Sequence, residues 1–244
     1  MRYKMNHCDK LQANPFMCLM VGGTGSGKTY LLFKMLTTPG ILDYERLLIL
    51  TTTADQTYFQ FLKHGFEYNL KKAVINKLFE YYTKGAVAGD IADICGQTSH
   101  LEGVTQKESI PVVLTREITD LEQVNPERLK TLVIFDDCVT ERNQSVQCEI
   151  FTKGRHLNCH SIYLTQSFYD VEKIIRKNAN VFVLFEQNDK SLSCILQSIK
   201  TGMPKEDFKQ LATEQWHNPD DYKYILINTR KPMDCRCHTD IFSN

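Results

Sequence analysis

The run Gly22-Gly23-Thr24-Gly25-Ser26-Gly27-Lys28-Thr29 satisfies the spacing G-x-x-x-x-G-K-[ST]. Glycines at these steps let the backbone turn tightly, so that its N–H groups converge on phosphate oxygens. A helix that begins at the lysine adds its positive N-terminal end. Lys28 has the reach for β- and γ-phosphates, and the Thr29 hydroxyl suits Mg²⁺. The chemistry implied is binding of a nucleoside triphosphate, with Gly22, Gly23, Thr24, Gly25, Ser26, Gly27, Lys28 and Thr29 as the cradle.

Leu132-Val133-Ile134-Phe135-Asp136-Asp137 is an apolar stretch that ends in two carboxylates. Beside a phosphate loop, a carboxylate at a strand tip fits the Mg²⁺ shell. Asp136 takes that role, and Asp137 is placed to orient and polarise an attacking water. Leu164-Thr165-Gln166 ends a further apolar run, and in a parallel sheet all such ends open on one crevice. Gln166 there can sense a γ-phosphate by hydrogen bonding. Gly154-Arg155-His156 precedes that run and so belongs at the opposite end of the sheet. Arg155 is then either a surface arginine or one offered to a neighbouring subunit's nucleotide, with Arg176 as the other candidate.

Elements that could position these groups alternate along the chain. Apolar runs at Phe16–Val21, Arg46–Leu50, Ile110–Leu114, Thr131–Phe135, His160–Thr165, Val181–Phe185 and Tyr222–Ile227 read as strands. Helices are expected over Lys28–Leu36, Gln56–Leu62, Asn69–Tyr82, Ser145–Lys153, Val171–Lys177, Lys190–Ile199 and Lys205–Thr213, and a helix cap at Thr119-Asp120-Leu121-Glu122. Near-continuous apolar strands between helices imply an α/β fold with a mainly parallel sheet covered on both faces. Residues 1–14 read as a short leader, 15–230 as the P-loop domain with a weakly patterned insert at 64–130, and 231–244 as a tail.

Composition narrows the classes. The 244 residues carry 29 basic and 29 acidic side chains, which argues against a protein that coats nucleic acid by bulk charge. Nine scattered cysteines lack a framework spacing and fit a reducing compartment. No apolar run reaches the ~18 residues of a membrane span. Cys235-Arg236-Cys237-His238 lacks the paired spacing of a zinc site. A switch GTPase would need D-x-x-G and N-K-x-D, whereas the chain has Asp136-Asp137-Cys138-Val139 and Asn188-Asp189-Lys190. A small kinase would need an Arg-rich lid, and Arg230 and Arg236 make a poor one. Between positions 63 and 84, Lys63, Lys71, Lys72, Lys77 and Lys84 face only Glu67 and Glu80, a net charge of +3, interleaved with Phe66, Tyr68, Phe79, Tyr81 and Tyr82. This is either a DNA-facing lining with a Gly-rich loop at 84–89, or an amphipathic helix whose aromatics belong to the core.

The P-loop after Pro15-Phe16, then Ile134-Phe135-Asp136-Asp137, then Gly154-Arg155-His156-Leu157-Asn158 with Leu164-Thr165-Gln166-Ser167, resembles the genome-packaging ATPases of poxviruses, other large DNA viruses and virophages. These belong to the FtsK–HerA superfamily of ring-forming DNA motors. The resemblance spans about Pro15 to Phe185, with Asp-Asp where the wider superfamily usually has Asp-Glu. It implies a RecA-like P-loop core of the ASCE type, ATP and Mg²⁺ as cofactors, and a homo-oligomeric ring (pentamer or hexamer). It further implies ATP hydrolysis coupled to translocation of double-stranded DNA into a preformed capsid, docking on capsid portal or vertex proteins. The setting would be the virus assembly site in the host-cell cytoplasm, with retention in the virion as a further expectation. A helicase or conjugation-type ATPase is the alternative of the same architecture.

Overall fold

The computed structural model describes residues 6–101, 109–116, 125, 129–138, 144–217 and 223–243. Eight strands form one sheet in the order β3-β2-β4-β5-β1-β6-β7-β8. These are β1 (Met17–Val21), β2 (Arg46–Thr51), β3 (Val112–Thr115), β4 (Thr131–Asp136), β5 (Cys159–Thr165), β6 (Val181–Phe185), β7 (Tyr224–Asn228) and β8 (Cys237–His238). From β3 to β6 all neighbours run parallel, while β7 and β8 add antiparallel at one edge. The α/β class with a mainly parallel sheet is as expected. β5 lies between β1 and β4, so a whole strand separates the P-loop strand from the one that carries Asp136.

Period-2 alternation divides the sheet's apolar residues between two cores. Cys18, Met20, Leu47, Ile49, Leu132, Ile134, Ile162 and Leu164 face one side. That side is covered by α1 (Lys28–Thr37), α2 (Thr57–Glu67) and α3 (Lys72–Thr83). Met17, Leu19, Val21, Leu48, Leu50, Val133, Phe135 and Tyr163 face the other. There α5 (Ser145–Lys153), α6 (Lys173–Asn178), α7 (Asp189–Ser198) and α8 (Lys205–His217) close the layer. Because both faces are buried, the strands read as unbroken apolar runs in the sequence.

Several elements differ from the sequence expectation. α4 (Ile91–Leu101) lies in the weakly patterned insert, where no helix is expected. Its start is fixed by Asp90, whose Oδ1 accepts from the N–H groups of Ala92 (2.9 Å) and Asp93 (3.3 Å). Its Gly96 lets the Tyr68 ring approach; a Cβ there would lie 3.3 Å from Tyr68 Cζ. α2 runs five residues beyond the expected Leu62, and β7 is described from Tyr224, the expected Tyr222 lying outside the described residues. The expected cap at Thr119–Glu122 lies outside the described residues.

Segments near both ends of the described residues pack together beside β7. Asn228 Nδ2 donates to the carbonyls of Lys10 (2.9 Å) and Gln12 (3.2 Å). Lys10 Nζ donates to Asp240 O (3.0 Å), and the Ile241 N–H donates to Tyr224 Oη (2.9 Å), with Ile241 buried. Residues 237–238 of the tail form β8.

Candidate functional site

The tips of β2, β4, β5 and β1 are level in register. Thr51 pairs with Asp136, Asp136 with Leu164, and Val21 with Thr165. Past those tips opens a cleft of about 260 Å³, lined by Thr24, Gly25, Lys28, Thr29, Asp136 and Gln166 among others. Asp137 lines it too, as do Thr53 and Gln56. The structure therefore brings together the P-loop, both carboxylates and the glutamine that the sequence placed in one site.

The P-loop is anchored at its start by the Gly22 N–H, which donates to Thr165 O (3.1 Å). Gly25 (φ 76°) and Gly27 (φ 93°) take left-handed backbone, which side-chain-bearing residues rarely adopt. Gly27 is the N-cap of α1, so the helix's free N–H groups open at the loop. Lys28 folds back, its Nζ donating to the carbonyls of Gly22 (2.7 Å) and Gly23 (2.8 Å). Burial lowers its ammonium from the usual lysine range, and the carboxylates of Asp136 and Asp137 oppose that shift.

Asp136 is buried at the tip of β4. Burial raises its carboxyl above the usual range and Asp137 adds to the rise. The Thr51 hydroxyl, 3.2 Å from Oδ2, and the Lys28 charge pull it back. Asp137 follows in left-handed backbone (φ 55°) and is exposed. This conformation, costly for a non-glycine residue, turns the chain off the strand tip at the cleft. A buried carboxylate and the Thr29 hydroxyl on one cleft are hard oxygen donors, the set Mg²⁺ takes alongside phosphate oxygens and water. Both residues line the cleft, so the donor chemistry fits the ion.

Arg155 is not in this cleft. It sits in the 3₁₀ turn Gly154–Leu157 before β5, exposed, with its Nε 3.3 Å from His156 Nε2. The flanking residues explain the rest of the G-R-H-L-N block. A Cβ on Gly154 would lie 3.1 Å from both Cys159 O and Met17 Cε, and Asn158 takes left-handed backbone (φ 55°) into the strand. Arg176 is engaged within its own chain. Its Nε donates to Val171 O (3.0 Å) and its guanidinium lies over the rings of Tyr169 (4.7 Å) and Phe168 (5.3 Å).

In the basic segment the aromatics Phe66 and Phe79 are core, and Tyr82 packs against that core. Lys72 Nζ donates to Leu42 O (2.8 Å) and lies 3.8 Å over the Tyr44 ring. Lys63, Lys71, Lys77 and Lys84 are exposed. The amphipathic-helix alternative thus accounts for Phe66, Phe79, Tyr82 and Lys72, whereas Tyr68 and Tyr81 are exposed along with the four outward lysines.

Thr53 and Gln56, which no sequence motif singled out, line the cleft on the far side of Asp136 from Gln166. The only signal was their place just after an apolar strand.

The family model described as Poxvirus A32 protein matches residues 3–82 and 97–230. The chain belongs to that family. It is a P-loop ATPase of the genome-packaging type, in agreement with the motif resemblance. Among curated protein sequences none matches it. The fold is similar to the genome packaging NTPase B204 from Sulfolobus turreted icosahedral virus 2 in complex with AMP. That likeness has TM-score 0.51 at 17% identity, over 93% of this chain and 97% of that one. VirB4 of Thermoanaerobacter pseudethanolicus gives TM-score 0.50 at 11% identity, over 91% and 90% of the two chains. At such identities these likenesses speak to the fold. Among the described residues no helix is long and apolar enough to cross a membrane.

Proposed function

We propose that this Poxvirus A32 family member hydrolyses ATP in the cleft between the P-loop and Asp136, and that as a homo-oligomeric ring it drives double-stranded DNA into a preformed capsid. The observation that carries the reading is the single cleft lined by Lys28, Thr29, Asp136, Asp137 and Gln166. The P-loop N–H groups and Lys28 hold the β- and γ-phosphates, and Lys28 leaves its carbonyl partners to do so. Thr29 and Asp136 would hold Mg²⁺, which when bound neutralises charge on the phosphates. Asp137 orients the attacking water and accepts its proton. Gln166, exposed at the end of β5, donates to a γ-phosphate oxygen.

Arg155 fits a role in trans. It is solvent-exposed at the end of the sheet remote from its own cleft, whereas Arg176 is held by Val171 and two aromatic rings. The outward lysines at 63, 71, 77 and 84 are candidates for contacts to DNA phosphates, which read no sequence. Capsid portal or vertex proteins are the docking partners of this reading, and the assembly site in the host-cell cytoplasm its setting.

Steady-state ATP hydrolysis with and without duplex DNA tests the proposal. Stimulation by duplex DNA, lost in Lys28→Ala, is the expected result. Tight nucleotide binding without turnover, or phosphoryl transfer to a small molecule, would overturn it.

A further inference from the structure

One chain of hydrogen bonds leads out of the cleft on the side away from the P-loop. Gln56 Nε2 lies 2.7 Å from Thr53 Oγ1, which lies 3.1 Å from Thr51 Oγ1, which lies 3.2 Å from Asp136 Oδ2. Proton counting fixes its direction. A carboxylate only accepts, so the single Thr51 hydroxyl proton goes to Asp136. The proton between the two threonines must then come from Thr53, and Thr53 must accept from the Gln56 amide. Every donor is aimed at Asp136.

The loop that carries the chain is itself held. The Thr53 N–H donates to Thr51 Oγ1 (3.1 Å), the Gln56 N–H to Thr53 O (3.1 Å) and Gln60 Nε2 to Ala54 O (2.9 Å). Gln56 is the N-cap residue of α2, yet its side chain makes no capping bond to that helix. It reaches back to Thr53 instead, and both Thr53 and Gln56 line the nucleotide cleft.

We propose that Thr51, Thr53 and Gln56 form a one-way hydrogen-bond relay that fixes the orientation of the Asp136 carboxylate, which makes Gln56 a positioning residue for the cation held with the nucleotide. The inference rests on the reading of Asp136 as a ligand of that cation. Partners that orient a ligating carboxylate commonly change metal affinity by about 10–100-fold when removed. The relay also ties the ligand to the first turn of α2, so that loss of Gln56 is felt at Asp136 without any direct contact between them.

The test uses the full chain, a non-hydrolysable ATP analogue and Mn²⁺ as the probe, with Mn²⁺ binding followed by electron paramagnetic resonance. Thr51→Val and Gln56→Leu should each weaken Mn²⁺ binding by about 10-fold or more. Analogue binding in the presence of a chelator and the melting temperature should stay near those of the unaltered protein, and Thr51→Ser should restore Mn²⁺ affinity. Unchanged Mn²⁺ affinity in Gln56→Leu overturns the relay if Asp136→Asn abolishes Mn²⁺ binding in the same assay. Should Asp136→Asn also bind Mn²⁺ normally, the ligand assignment falls and the relay with it. Gln56 is half-buried at the cleft and its replacement does not open the core, so the test stands even where Thr51→Val folds poorly.

Discussion

Lys28 Nζ lies 2.7 Å from the carbonyl oxygen of Gly22, six residues earlier in its own loop. The ammonium thus satisfies the loop's carbonyls at Gly22 and Gly23. On the proposed mechanism Lys28→Ala removes the charge set against the transferring phosphate, and kcat for ATP should fall by about 10²–10³. Thermal melting should move little, since the group it loses is a loop contact. An ATPase rate within a few-fold of the unaltered protein would contradict the site.

The two glycines that open the P-loop should respond differently to substitution. A Cβ on Gly22 would lie 2.6 Å from Phe185 Cβ and 2.6 Å from Ser26 Oγ, whereas one on Gly23 meets nothing within 4 Å. Gly22→Ala is therefore expected to destabilise by about 1–3 kcal/mol, as overpacking does. Gly23→Ala should stay within about 0.5 kcal/mol of the unaltered protein. Chemical denaturation of both variants measures the contrast.

His7 and His160 form a buried pair remote from the cleft. The Asp43 N–H donates to His7 Nδ1 (3.1 Å), so His7 Nε2 carries the proton and donates to His160 Nδ1 (2.8 Å). Burial pushes His7 down to about 4 and His160 down to about 3. Asp43 opposes both shifts, Lys72 and Lys130 add to the first and His7 adds to the second. Unfolded histidine titrates near 6.5, so above that pH the pair's contribution is fully present. As pH falls below 6.5 the unfolded chain takes up protons that the folded pair refuses, and stability drops until about pH 4 for His7 and about pH 3 for His160. The slope should approach about 1.4 kcal/mol per pH unit for each histidine. Melting between pH 7 and 4.5 should show the decline, and His7→Phe should remove roughly half of it, leaving the part due to His160.

Lys72 and its neighbours separate structure from DNA contact. Lys72→Ala loses the bond to Leu42 O and the contact with Tyr44, and should cost about 1–2 kcal/mol in stability. Charge reversal at Lys71, Lys77 and Lys84, all exposed, should leave stability and basal ATPase rate intact. It should weaken DNA stimulation and reduce its salt dependence. Undiminished stimulation removes these lysines from the DNA path.

Arg155 invites a mixing experiment. Arg155→Ala subunits keep an intact P-loop, and Lys28→Ala subunits keep the arginine. If Arg155 completes a neighbour's site, mixtures of the two should hydrolyse ATP faster than either alone. Mixtures no better than their components refute a role in trans.

Much of this site was legible because its parts are local. The P-loop spacing, the carboxylates after Phe135 and the glutamine after Thr165 each follow a fully buried strand, and such strands read as plain apolar runs. Strand order was not legible, because insertion of β5 between β1 and β4 is a long-range pairing that no window contains. α4 escaped notice because it buries only Ile94 and Cys95, too thin a stripe to stand out. Lys72 reads as one more surface charge until the fold brings Leu42 O and the Tyr44 ring to it. Thr51, Thr53 and Gln56 read as the polar end of a strand, and their meaning appears only once Asp136 lies alongside.

β5 spans Cys159–Thr165 as one unbroken strand hydrogen-bonded on both sides, roughly 23 Å from end to end. Gln166 stands at its top and the Arg155 turn at its foot. In a closed ring each subunit would carry a stiff rod whose head reads its own nucleotide and whose foot leans toward the next. If the proposed ring forms, this strand is the covalent link between the residue at its own cleft and the turn offered to the neighbour.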